Sequence, residues 1–163
     1  MKRAATLLSL VMAIFAGACA SGRKPTDYTP TVARFFVENA QQAGTPILLP
    51  RSGVRISVNS KPVITEGDIV NVELVQVELG KCLLFQLTPA ATRDFYRMSV
   101  TQQGRRIVLT IDGNPVGARR IDGAITDGAV FVFVELPDES LPRLVENLKK
   151  YSAALQLELK RKG

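Results

Sequence analysis

GKCLLFQLTPAATRDFYRMSVTQQGRRIVLTIDGNPVGARRI, residues 80–121, changes its apolar period twice within 42 positions. Cys82 to Leu87 is an apolar run behind Gly80-Lys81, which reads as a strand entered from a turn. Thr88-Pro89 then marks a helix start, because threonine can accept a bond from a free first-turn amide and proline fits the first helical position. Ala91, Phe95 and Met98 follow at i, i+4 and i+7, one apolar face of a helix, and Gly104 suits its end. From Ile107 to Ile111 the residues alternate as a strand, Asp112-Gly113-Asn114-Pro115 reads as a turn, and Val116 to Ile121 returns.

The flanks extend the pattern. Val54, Ile56 and Val58 alternate with Arg55, Ser57 and Asn59, which predicts a half-buried strand, and Val63-Ile64-Thr65 is a further short candidate. Val70, Val72 and Leu74 share one parity while Val75, Val77 and Leu79 take the other, so a bulge or strong twist is expected between Leu74 and Val75. With Cys82 to Leu87 this segment makes a long hairpin. Thr31 to Glu38 fits a strand or a short helix, and Ile47-Leu48-Leu49 a short extended piece. Ala129 to Val134 is apolar on both parities, which predicts an interior strand covered on both faces. Asp138 to Ser140 can cap a helix with a Leu141, Leu144, Val145 and Leu148 stripe; beyond Tyr151 the leucines fit a strand as well as a frayed helix. The sum is an α+β domain over residues 31–157, a mainly antiparallel sheet with two helices packed on one face.

Gly80 to Val134 resembles the first periplasmic head domain of SecD, a subunit of the bacterial protein-export machinery. The resemblance rests on Leu83-Leu84-Phe85-Gln86-Leu87 before a Thr88-led helix with Phe95, then Gly104, Ile107-Val108-Leu109, Asp112-Gly113 with Val116, and the spaced Ile125 and Gly128. It implies the SecD head fold and, because that head is thought to contact emerging preprotein, binding of polypeptide or of an envelope partner. One departure stands out. SecD usually has a small residue and a proline after the Asp-Gly turn, whereas here Gly117-Ala118 leads into Arg119-Arg120.

The N-terminus gives an address. Met1-Lys2-Arg3 is cationic, Ala4 to Phe15 is uncharged and apolar, and Ala16-Gly17-Ala18 places small residues before Cys19, the layout of a secretory signal. It resembles the lipobox of bacterial lipoproteins, which implies cleavage after residue 18 and acylation of Cys19. Lipoboxes usually carry leucine where this chain has Ala16, and the same bond suits ordinary signal cleavage, so a secreted protein with a free Cys19 thiol is the rival outcome. The apolar run is shorter than the roughly 20 residues that span a bilayer. Ala20 in place of aspartate points, by resemblance to enterobacterial lipoproteins, to the outer membrane. Residues 19–30, small and polar with Pro25 and Pro30, read as a tether.

The chain has 163 residues with a net charge of +6, but the excess is not in the body. Setting aside Lys2, Arg3, Arg23, Lys24, Asp27, and the 158–163 tail with Glu158, Lys160, Arg161 and Lys162 leaves fourteen basic and thirteen acidic residues of the 21 and 15 present. A nearly neutral body argues against nucleic acid as a partner and leaves the basic ends to touch anionic lipid or wall polymers. With Cys19 acylated, Cys82 stands unpaired in an apolar run and reads as a small hydrophobe.

No catalytic set emerges. There is no histidine to serve as base or metal ligand, and no Gly-rich phosphate loop. Asp112, Asp122 and Asp127 each precede glycine and read as turns rather than calcium ligands, so neither metal nor cofactor is expected. Arg105-Arg106 and Arg119-Arg120 flank the Asp112-Gly113 turn, so a hairpin would gather them at its open end. They are either a cationic patch for an acidic partner or lipid headgroups, or solubilising charge. The expected function is a non-enzymatic module held to the bacterial envelope by acylated Cys19 and facing the periplasm. It would assist protein export or folding with translocon components or exported polypeptides as partners. The alternative is a structural envelope lipoprotein that binds wall or outer-membrane components.

Overall fold

The computed structural model describes residues 26–162, so the signal segment, Cys19 and tether residues 20–25 lie outside the described residues. Eight strands form in chain order: β1 (Ala33–Val37), β2 (Thr45–Leu48), β3 (Arg55–Val58), β4 (Ile69–Val77), β5 (Gly80–Leu87), β6 (Arg106–Ile111), β7 (Asn114–Arg120) and β8 (Ala129–Val132). Helix α1 (Pro89–Thr101) follows β5, and α2 (Leu141–Lys162) ends the described chain. The strands form three sheets, ordered β1-β6-β7, β2-β3 and β4-β5-β8, and every pairing is antiparallel. The α+β reading holds, with the sheet divided.

Local signals place most elements. The Thr88 hydroxyl accepts the Ala91 N–H at 3.2 Å and Pro89 opens α1, as the sequence indicates. Asp112 and Gly113 both have positive φ, at 49° and 82°, and form the two-residue loop between β6 and β7. Such loops match the right-handed twist of the strands they join. Asn114 and Pro115, expected in the turn, already belong to β7. Thr31 to Glu38 resolves as strand β1.

One core unites both three-stranded sheets and both helices. Phe35 of β1, Leu83 and Phe85 of β5, Ile107 and Leu109 of β6, and Val130 and Val132 of β8 are all fully buried in it. The rings of Phe35 and Phe85 meet edge to face, 5.0 Å apart at 89°, an arrangement favoured by the ring quadrupoles. Phe95 from α1 and Leu148 from α2 close the core.

Three expectations need correction. The bulge in β4 lies at Val70, where the register moves from Ile69 opposite Leu87 to Asn71 opposite Gln86. It lets Ile69 and Val72 both face the core, whereas Leu74 and Val75 are only half-buried because the hairpin is leaving the core there. Second, β8 is an edge strand, and Phe131 and Phe133 are exposed. The strand covered on both faces is β6: Ile107, Leu109 and Ile111 enter the main core, while Val108 enters a second cluster on the other face. Third, residues 158–162, expected as a tail, form the last turn of α2. Alanines and long straight side chains favour the helix. The Gln156 amide bonds to the carbonyls of Gly67 and Ile69, and Lys160, Arg161 and Lys162 suit the negative end of the helix dipole.

Candidate functional site

The second face of the β1-β6-β7 sheet is where the fold leaves something open. The end of β3 continues that sheet beside β1, with Asn39 N–H donating to Ser57 and Asn59 N–H to Val37. The β2-β3 ribbon then curls over the sheet face. Leu49, Ile56 and Val58 bury against Val108, with Phe36, Ile47 and Ala118 half-covered around them. The ribbon tip is fastened from the far side, because the Glu135 carboxylate accepts the Arg51 and Ser52 N–H groups at 2.7 and 2.9 Å. Burial opposes ionisation of Glu135, but these bonds outweigh it and hold its carboxyl below the usual value.

The ribbon covers one end of the face and leaves the other open as a cleft of about 480 Å³. Its floor is Val32, just before β1, Arg34 and Phe36 of β1 and Thr110 of β6, and its roof is Thr45 and Ile47 of β2 with Val58 of β3. Asn59, Ser60, Asp112 and Gly113 complete the rim. Of the two charges that line the cleft, Arg34 is paired with an opposite charge and Asp112 is not. Arg34 is held by Glu66 through two bonds of 2.8 Å, which raises the arginine's pKa and lowers that of the glutamate. The Asp112 carboxylate accepts the Val32 N–H at 2.8 Å. The cleft thus offers an apolar interior, hydroxyls, an amide, and the Asp112 carboxylate, which pairs with no cation among the described residues.

The four arginines reach the open end of the β6-β7 hairpin, as the sequence indicates, but they divide between its faces. Arg106 stands opposite Arg120 on the Val108 face, and Arg119 stands opposite Ile107 on the core face. Arg106 is committed to Glu38, which accepts both its guanidinium and its backbone N–H and is held below the usual carboxylate value by that bond. Arg119 reaches across to the Phe131 carbonyl at 3.4 Å, and Arg120 pairs loosely with Asp122 at 3.7 Å. Among the described residues Arg105 makes no salt bridge. The Asp127 carboxylate accepts the Ala129 N–H, a turn bond. Cys82 is buried in β5, and desolvation pushes its thiol up.

Several solved structures share this architecture. One is SecDF in a super-membrane-facing form, at TM-score 0.59 and 17% identity, with 76% of this chain and 19% of that chain covered. A second is a structure of SecDF described as a membrane component that enhances protein export, at TM-score 0.60 and 18% identity, covering 76% and 64%. A third is translocon-associated SecDF from Thermus thermophilus, at TM-score 0.50 and 19% identity, covering 78% and 20%. The domain has the SecD head fold.

The chain thus spans about a fifth of two of these SecDF chains and under two thirds of the other. No family model and no curated protein matches the sequence. No helix among the described residues is long and apolar enough to cross a membrane. Sequence reasoning missed the cleft because its residues come from three separated segments, 32–36, 45–60 and 110–113, and carry no reactive group.

Proposed function

We propose that this protein is a non-enzymatic envelope module, lipid-anchored through Cys19 at the outer membrane and facing the periplasm, whose SecD-like head binds polypeptide and assists protein export or folding. The likeness to SecDF across 76% of the chain carries the reading, since SecDF enhances protein export. The Met1 to Cys19 layout supports the anchor: a head lacking its own membrane span would be kept at the bilayer by lipid on Cys19. The cleft, whose one arginine is held by Glu66 and whose rim carries the Asp112 carboxylate, disfavours nucleic acid as a partner.

Two experiments test this. Cys19→Ser should move the protein from the membrane to the soluble fraction without unfolding it; a variant that stays on the membrane removes the anchor. Cross-linking in cells should recover translocon components or newly secreted polypeptides. Recovery of abundant wall or outer-membrane proteins instead would favour a structural lipoprotein.

A further inference from the structure

The second face of the β4-β5-β8 sheet carries apolar side chains that belong to no core. Residues directly opposite in an antiparallel register share a face. Leu83, Phe85, Val130 and Val132 turn into the main core, so Glu73, Val75, Val77, Leu84 and Phe131 turn the other way. An antiparallel sheet with one wet face normally places polar residues there. Here Asn71 and Gln86 at one end are polar, but Val75, Val77, Leu84 and Phe131 are not. None of these four joins either core cluster, and Phe131 and the following Phe133 are 37% and 43% exposed. The Ala129 to Val134 run, apolar on both parities, thus has no cover for its second face among the described residues. Apolar side chains gathered on one face in this way mark an interaction surface.

The charges on the face identify its partner. One row crosses the sheet from Glu73 of β4 through Leu84 of β5 to Phe131 of β8. The Arg119 guanidinium donates to the Phe131 carbonyl at 3.4 Å and so extends that row past the β8 edge. The row has an acid at one end, an arginine at the other and apolar side chains between. Neither charge forms a salt bridge among the described residues. Glu73 accepts the Asn71 amide at 2.9 Å, and Asp127 lines the hollow beside Arg119 without pairing with it. A two-fold axis laid along β5 over Leu84 reverses the row and sets Glu73 of each copy against Arg119 of the other. The strands of the two sheets then stay aligned, a common way for sheets to pack face to face at about 10 Å. An anionic lipid surface would attract Arg119 but repel Glu73.

We infer that this face is a self-association surface, on which two copies of the chain pack sheet against sheet about a two-fold axis. Leu84, Phe131 and Phe133 lie between the copies, with a Glu73–Arg119 pair on each side. A self-complementary patch of this kind closes after two copies, so it makes a dimer and not a filament. It uses a different sheet from the ribbon cleft and does not rest on the polypeptide reading.

Sedimentation equilibrium tests this with the full protein carrying Cys19→Ser, which removes lipid as a cause of association. The expected result is a concentration-dependent dimer. Glu73→Arg and Arg119→Glu each bring like charges together twice per dimer, and each should weaken association at least about tenfold. Mixed in equal amounts, the two variants should dimerise again, because each arginine then meets a glutamate; mixing would not repair a fold defect. Phe131→Ser should weaken the dimer as well, while Asp94→Arg, on the exposed side of α1, should not. A protein that stays monomeric throughout, or a dimer that survives all three face variants, would overturn the surface. Loss in both charge variants without recovery on mixing would overturn the two-fold arrangement. Phe131-dependent binding of a monomeric protein to phosphatidylglycerol vesicles would show that lipid, not a second copy, covers the face.

Discussion

The main core and the β2-β3 ribbon are built to different standards. The main core buries eighteen side chains from six strands, the loop residues Ile64 and Ile121, and two helices, and its largest members are fully enclosed. The ribbon is held by three buried side chains, Leu49, Ile56 and Val58, against Val108, plus polar clamps at its ends. Small buried area and bonds exposed to water are the marks of a segment that opens at low free-energy cost. The lesson is a division of labour. The core fixes the shared fold, and the lightly fastened ribbon borders an apolar cleft on the second face of the β1-β6-β7 sheet.

Substitutions should expose that division, beginning where the effect is largest. Phe85→Ala removes a fully buried ring from the main core and should cost about 3–5 kcal/mol in denaturant unfolding. A loss no larger than for Ile56→Ala would erase the contrast between the regions. Gly117→Val comes next: any Cβ there collides with the Phe133 carbonyl where β7 passes the end of β8, for a cost of about 1–3 kcal/mol. Thr88→Ala should cost about 1 kcal/mol through loss of the α1 cap, read as a lowered thermal midpoint. The smallest effect belongs to the ribbon clamp. Glu135→Gln should change global stability by less than about 1 kcal/mol while speeding hydrogen exchange at Arg51 and Ser52.

The same clamp gives a pH signature. The Glu135 pKa is depressed in the folded state, so its contribution is present above the ordinary carboxylate value of 4.5 and is lost as pH falls through the depressed value. Glu38 and Glu66, each lowered by its arginine, follow the same sign. In an NMR titration the Arg51 and Ser52 amide shifts should move with a midpoint below 4.5. A midpoint at or above that value would mean the clamp does not form in solution.

What could be read from the sequence was local. The Thr88-Pro89 start, the Phe95 face and the Asp112-Gly113 turn each carry their mechanism within a few residues. What could not be read was coverage. Val130 to Val134 and Ile107 to Ile111 are similar apolar runs, yet β8 lies at an edge and β6 at a centre, because only tertiary placement determines what packs on the second face. The same limit applied to the arginines. Their approach to one hairpin end followed from the turn, but which of Arg119 and Arg120 shares a face with Arg106 depends on the register, which a bulge between Leu109 and Thr110 resets. The α2 leucines past Tyr151 were ambiguous because 155, 157 and 159 alternate; the Gln156 contacts to the chain before β4 secure the helix there.

The central claim is that the ribbon side of this SecD-like head meets polypeptide and the rest of the domain supports it. Site-specific photo-cross-linking in growing cells tests it most directly, with the reactive side chain placed either at Thr45 in the cleft or at Leu79 on the tip of the β4-β5 hairpin. Both positions are exposed, Leu79 at 86%. Adducts with secreted polypeptides are expected from Thr45 and few from Leu79. Equal yields from both positions, or adducts only from Leu79, would contradict it.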